Sequence, residues 1–303
     1  MIIRLFNRFF DLLIDRRMPW LLGLSLAMRP NLRKIKLAPE EEVLFALTVD
    51  TEQDYGSSDK KKSFSALPGF CKNFLTWSRK EKILTTLFVQ AEAAQSVGAE
   101  LKAFEKAGHE IGVHGLKHEL WARPRWFTRE ISLPARKRFK ALQECLDLFK
   151  KAGLKKPESF RAPNMAIDSS TYSALKKAGF KGDSSPSVFR GCGLKPDTKK
   201  GVKIVPVSAD PCVRLRFVKG VPVGEHLVFN MYQLTALPEK ELLEMLDRVL
   251  KFQKKNNVPL HLVFLTHSWE METFEDAYKH LSRLLTALRK RYNLKPVTFN
   301  SLV

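Results

Sequence analysis

Four short stretches of the chain carry side chains suited to chemistry. They are Asp50-Thr51-Glu52-Gln53-Asp54, His114-Gly115-Leu116-Lys117-His118, Arg161-Ala162-Pro163 and Thr266-His267-Ser268. Two imidazoles four residues apart can converge on one cation if they share a turn, and neutral histidine nitrogen is a favoured ligand of Zn2+ and its neighbours. A third ligand is needed. Asp50, Glu52 and Asp54 offer carboxylates, and residues 50 and 52 point the same way in an extended chain. The bland alternatives are a solvated acidic turn and two surface histidines, since spacing alone is only suggestive.

Each stretch follows an apolar run, which says what must position it. VLFALTVD (43–50), ILTTLFV (83–89), HEIGVH (109–114), ESFRA (158–162) and LHLVFLTH (260–267) read as strands. Shorter strands are expected at FKGD (180–183), near 203–207, 212–218 and 227–230, and in the terminal PVTF (296–299). Helical periodicity fills the gaps at about 70–80, 98–107, 129–152, 169–178, 238–256 and 272–291. Alternating strand and helix specify a parallel sheet, most economically closed as a barrel, and catalytic side chains then collect at the C-terminal ends of the strands.

The chain has 303 residues, enough for one substantial core, and carries 52 Lys+Arg against 32 Asp+Glu, a formal charge of +20. Such a field attracts anions of any kind. Residues 1–40 form a separate basic extension ahead of a barrel spanning 41–303. Its apolar positions 2, 5, 6, 9 and 13 follow the helical period, and Arg4, Arg8, Asp11, Asp15, Arg16 and Arg17 fall between them. These charges interrupt any secretory h-region, and Met18 to Met28 is too short to span a bilayer, so a cytoplasmic protein held at the inner face of an anionic membrane is expected. Packing of the same helix on the barrel is the alternative. Residues 121–140 hold seven Lys/Arg beside Trp121, Trp126 and Phe127, a composition suited to a lipid surface or a phosphate-bearing ligand. Nucleic acid is disfavoured because no nucleic-acid fold signature accompanies it. Cys71, Cys145, Cys192 and Cys212 form no C-x-x-C pair and read as free thiols.

The order of the motifs resembles the NodB-homology polysaccharide deacetylases, whose sequences run T-F-D-D, G-H-E-I-G-x-H-x-x-x-H, R-x-P and L-x-H. Here LTVD (47–50), GHEIGVHGLKH (108–118), RAP (161–163) and LTH (265–267) occur in that order, over roughly residues 43–303. The resemblance implies a distorted (β/α)7 barrel and a divalent metal, commonly zinc. It implies Asp50 as general base, His114 and His118 as metal ligands, Arg161 as the partner that orients Asp50, and His267 as general acid. It also places Asp183 where a carboxylate tunes the catalytic histidine. The family sets its metal-binding aspartate directly after the base, where this chain has Thr51. Glu52 is the expected replacement, with Asp54 as second choice. The implied reaction is metal-assisted hydrolysis of an N-acyl group, acetyl or formyl, from an amino sugar. A sugar carried on undecaprenyl phosphate is the expected substrate, a soluble or cell-wall polysaccharide the first alternative, and a non-catalytic glycan- or lipid-binding barrel the second. Trp269 and Glu270 are expected either to line the pocket or to be ordinary loop residues.

Overall fold

A computed structural model describes residues 30–55, 62–122, 132–186, 194–218 and 221–303. The expected amphipathic helix at 2–14, the apolar segment that follows it, and Trp126 and Phe127 of the basic insertion lie outside these residues.

The strands are β1 (Glu42–Thr51), β2 (Thr85–Val89), β3 (Glu110–Val113), β4 (Ser159–Phe160), β5 (Gly182–Asp183), β6 (Asp197–Lys199), β7 (Val202–Ile204), β8 (Arg214–Val218), β9 (Val221–Glu225), β10 (His261–His267) and β11 (Asn293–Pro296). The main sheet runs β10-β1-β2-β3-β4-β5-β7-β6, parallel except for the β6–β7 pair, and β8 and β9 form a separate antiparallel hairpin. The helices are α1 (Leu67–Glu81), α2 (Gly98–Lys106), α3 (Ala135–Lys151), α4 (Ser169–Ala178), α5 (Met231–Ala236), α6 (Glu239–Lys255), α7 (Ser268–Thr273) and α8 (Ala277–Arg291). This is the expected distorted α/β barrel, a curled sheet flanked by helices.

The central strand is β1, buried at nearly every position because both faces are covered. One edge pairs with β10 from Leu44 to Asp50. The other is shared: β11 pairs with its first residues (Glu42 to Phe45) and β2 with its last (Leu47 to Thr51). Among the described residues no regular strand covers the far edge of β10. Ser208 N donates to Val263 O and Leu265 N to Phe229 O, so irregular chain bridges β7 back to β10. Helix α1 shows how the flanking layer is built: Leu67, Phe70, Cys71, Phe74 and Trp77 recur at helical spacing and are the apolar residues it buries. In α4 the Asp168 carboxylate accepts from the amides of Ser170 and Thr171, and Gly179 closes the other end in the left-handed region.

Several expectations are corrected. The helix expected at 238–256 is α6, but a further short helix, α5, precedes it, set apart by Pro238 with Leu237 in extended backbone. The helix at 272–291 begins at Ala277, and the short α7 precedes it. The last strand ends at Pro296, and residues 299–302 form a 3-10 turn. Around 227–230 there are only isolated bridges, from Val228 to Ala209 and from Asn230 to Leu265. Trp121, grouped with the lipid-facing residues of the insertion, is fully buried with its ring edge-on to Phe160. Arg138 of the same basic run is also buried, holding Asp168 and Thr171 at the start of α4. Among the described residues Cys71 and Cys145 are buried free thiols, Cys212 is buried, and no helix is long and apolar enough to cross a membrane.

Candidate metal and catalytic centre

The centre forms where strands end on one rim of the barrel. In the parallel register Asp50 is the direct partner of His267, so pairing of β1 with β10 places a carboxylate beside an imidazole without any help from loops. Glu52 lies two residues beyond Asp50, and its backbone is tied to the start of α7: Glu52 N donates to Ser268 Oγ (3.3 Å), which donates in turn to Glu52 O (3.4 Å). His114 continues the β2–β3 ladder, its N–H donating to Val89 O, and Arg161 continues the next, its N–H donating to Val113 O.

Glycines set the loop that carries the histidines. A Cβ on Gly112 would stand 2.5 Å from Ser159 Oγ and 2.8 Å from the Phe88 ring, so the approach of β3 to its neighbours excludes any side chain there. Gly115 adopts φ +75°, next to the Pro163 ring. His118 also takes a left-handed φ of 63°, a conformation costing a non-glycine residue roughly 1–2 kcal/mol. That turn brings its Nε2 to 2.7 Å from Glu52 Oε2, while His114 Nε2 lies 3.0 Å from the same oxygen.

Glu52, His114 and His118 each offer one donor atom, all within 4.8 Å of one another, and they are the candidate cluster found among the described residues. Two imidazoles and a carboxylate are a donor set used for divalent metals with open positions. Ligands at about 2.0–2.1 Å around a tetrahedral ion stand about 3.3 Å apart, close to the spacings seen here. Burial opposes the Glu52 charge, but hydrogen bonds with His114 and His118 outweigh it and hold the carboxyl well below the usual range. Burial likewise opposes a proton on His118, and Glu52 outweighs it, raising that imidazole. The residues therefore fit a divalent ion. Asp54 is turned elsewhere: its Oδ2 accepts from Ser63 Oγ (2.7 Å), Ser65 N (2.9 Å) and Ser65 Oγ (2.8 Å).

Asp50 is 4% exposed and Arg161 is fully enclosed. Arg161 Nη1 donates to Asp50 Oδ1 (2.8 Å), Nη2 donates to Thr48 Oγ1 (2.9 Å) and Ser184 Oγ (2.8 Å), and the guanidinium lies over the Phe88 ring at 4.3 Å. The other Asp50 oxygen is 3.9 Å from His114 Nε2. One carboxylate thus touches both the arginine and the edge of the donor cluster.

The carboxylate beside His267 is that of Glu270, and this corrects the role expected for Asp183. Glu270 Oε2 is 3.0 Å from His267 Nδ1 and accepts from His267 N (2.9 Å) and Thr266 Oγ1 (3.0 Å). Burial disfavours a proton on His267, but Glu270 first, then Glu52 and Asp50, overcome this and push its pKa up to about 10. Asp183 serves the arginine side. Its carboxylate accepts from Tyr172 OH (3.0 Å), Ser185 N (3.1 Å) and Ser185 Oγ, and Ser185 Oγ accepts from Ala162 N (2.8 Å). Burial raises its pKa to about 6 against those hydrogen bonds. The signal for Glu270 was present in the sequence as an acidic residue three positions after a strand-ending histidine, the spacing of a capping box at a helix start. Trp269 stacks on His267 with ring centroids 5.6 Å apart.

The polysaccharide deacetylase family profile matches residues 39–182, which hold Asp50, Glu52, His114, His118 and Arg161. Over that span the chain belongs to the polysaccharide deacetylase family. A peptidoglycan deacetylase of Helicobacter pylori is 26% identical over 159 residues, covering 48% of this chain and 50% of that protein. The chain therefore matches about half the length of this curated relative. Among solved structures, a candidate polysaccharide deacetylase of Mycobacterium smegmatis superposes with a TM-score of 0.59 at 16% identity, over 88% of this chain and 91% of that one. A CE4 family pseudoenzyme of Bacillus anthracis superposes with a TM-score of 0.50 at 12% identity, over 88% and 66%. At these identities the structural matches speak for the fold, which hosts active and inactive members alike.

Proposed function

We propose that the chain is a metal-dependent hydrolase that removes an N-acyl group, acetyl or formyl, from an amino sugar. The observation that carries the reading is the register pairing of Asp50 with His267 beside the Glu52, His114, His118 cluster. A divalent ion there, Zn2+ in this proposal, supplies the Lewis acidity that amide hydrolysis at neutral pH requires. Asp50, its orientation fixed by Arg161, takes the proton of the attacking water. His267 carries a proton that Glu270 holds on the ring, and donates it to the sugar nitrogen, which otherwise leaves poorly. Asp183 holds the Ser185 hydroxyl under Ala162 and so keeps the Arg161 loop in place.

The test is release of acetate or formate from N-acylated amino sugars by the zinc-loaded chain. Asp50→Asn and His267→Ala should each abolish release with the fold retained, and turnover by either variant would break the assignment.

Within this reading the sugar is carried on an anionic lipid such as undecaprenyl phosphate, presented to a cytoplasmic enzyme at the inner membrane face. The formal charge of +20 and the basic extension at residues 1–40 support it. Flotation with anionic liposomes should be lost on deleting residues 1–36; indifference to lipid removes the proposal. Polymeric glycan is the second reading, favoured by the similarity to a peptidoglycan deacetylase.

A further inference from the structure

Glu52 lies one residue beyond the end of β1, whose last register pairs are Asp50 with His267 of β10 and Thr51 with Val89 of β2. Regular pairing therefore stops just short of it, yet its carboxylate has to meet two imidazoles at once. In this sheet an N–H donates to the carbonyl one residue before its register partner. Leu44, paired with His261, donates to Leu260 O, and His114, one place past the Val113–Val89 pair, donates to Val89 O. Carried past the strand ends, the same rule calls for Glu52 N to donate to the Ser268 carbonyl and Gln53 N to that of Gln90. Both carbonyls have turned aside. Ser268 opens α7, which directs its carbonyl along the helix, and Gln90 O accepts from Ala93 N (2.9 Å) as the chain enters the 3-10 turn Ala91–Gln95.

Each residue replaces its own carbonyl with a side-chain oxygen. Ser268 Oγ accepts from Glu52 N (3.3 Å) and donates to Glu52 O (3.4 Å). Gln90 Oε1 accepts from Gln53 N (3.1 Å), while Gln90 N still donates to Thr51 O (2.9 Å). The ladder is thus prolonged on both edges by side chains, and the residue held between them is Glu52. Both side chains are buried. Packing alone asks for no polar atom at either position, since leucine or alanine fills such space without a desolvation cost. What the two oxygens fix is the backbone carrying a carboxylate one place later than the family pattern, where this chain has Thr51.

Resting on the assignment of Glu52 as a metal ligand made above, we infer that Gln90 and Ser268 are positioning residues, whose side-chain oxygens extend the sheet by one step and so make Glu52, in place of residue 51, the third ligand of the site. Because Ser268 directly follows His267, the same clamp joins the metal side of the centre to its acid side.

The experiment uses the full chain and measures zinc affinity by competition with a chelating dye, beside urea unfolding of the same proteins free of metal. Gln90→Leu and Ser268→Ala should each weaken zinc binding roughly tenfold to a hundredfold, the usual effect of removing a group that orients a ligand. Ser268→Thr keeps the hydroxyl and should bind zinc more tightly than Ser268→Ala. Asp54→Asn loosens the turn after Glu52 without touching either oxygen, and should keep its zinc affinity even where its metal-free stability falls as far as theirs. Unchanged affinity in either Gln90→Leu or Ser268→Ala overturns the inference. So does a loss that Asp54→Asn shares at equal stability, or one that Ser268→Thr does not recover, because either marks general loosening. The two readings fail separately. If Glu52→Ala loses zinc while Gln90→Leu and Ser268→Ala hold it, the clamp falls and the metal site stands; a wild-type chain that takes up no zinc removes both.

Discussion

Replacing Arg161 with methionine tests whether the ion pair beneath the centre is a coupled unit. The guanidinium is wholly enclosed and gives three side-chain hydrogen bonds, one of them to a carboxylate that is itself 4% exposed. Methionine fills much of the volume over Phe88 but leaves the Asp50 charge buried without a cation. Removing one partner of a buried pair in this way costs about 3–5 kcal/mol. Asp50→Asn alone strands the arginine instead and is also destabilising. In the double variant neither charge is present, and what remains is the loss of packing and two hydroxyls, Thr48 and Ser184, that have lost a donor. The double variant should therefore be less damaged than the sum of the single ones by about 2 kcal/mol. The assay is urea unfolding of the metal-free protein in chelator at neutral pH, with all four proteins compared at a common denaturant slope. A coupling below about 0.5 kcal/mol, the level at which distant sites add, would refute the account of Arg161 as the counter-charge of Asp50.

Glu52→Ala should strip the protein of zinc on dialysis, whereas Asp54→Asn should keep the metal and instead lose about 1–3 kcal/mol of stability through its serine contacts; metal analysis beside thermal unfolding decides between them. Glu270→Gln should move the high-pH fall of activity to lower pH by at least about one unit, since a histidine raised to about 10 keeps its proton until that pH and loses it earlier without the carboxylate; an unmoved limb would show that Glu270 does not hold the proton. His109 is buried against Ser78 and Thr85, and burial first, then Arg79, lowers its pKa to about 4. Because the unfolded chain takes up the proton first, this group costs stability as pH falls from about 6.5 to about 4, by about 3 kcal/mol in full. His109→Gln should flatten that part of the stability curve, and an unchanged slope would count against it.

Much of the site was legible because strand ends were. Asp50, His114, Arg161 and His267 each follow an apolar run, and the parallel fold brings such ends to one rim. Alternation likewise pointed to Glu52 rather than Thr51, since residue 52 shares the face of Asp50 and residue 51 does not. The misreadings have local causes. The expected helix at 272–291 runs through residues 274–276, where the left-handed Asp276 breaks it, and the six residues of α5 are too few to show a period. Strand β6 is exposed throughout and has no apolar face to announce it. Trp121 sits in a basic run yet belongs to the core, because composition over a window does not report which way one ring points. Glu270 had only its spacing from His267 to announce it, because the turn that pairs them opens α7, a helix of six residues too short to show a period.

The sharing of one β1 edge between β11 and β2 leads the chain after β11 back under the barrel. Val297 N donates to Phe45 O, Phe299 N donates to Thr86 Oγ1, and the Phe299 ring meets Phe88 edge-on at 5.6 Å. Phe88 is the ring on which the Arg161 guanidinium rests. The final turn is thus a keel beneath the arginine, and damage there should be felt as lost catalysis in a protein whose every reacting group is intact. Fusion partners or trimming at that end belong on the list of things to vary before an inactive preparation is blamed on its chemistry.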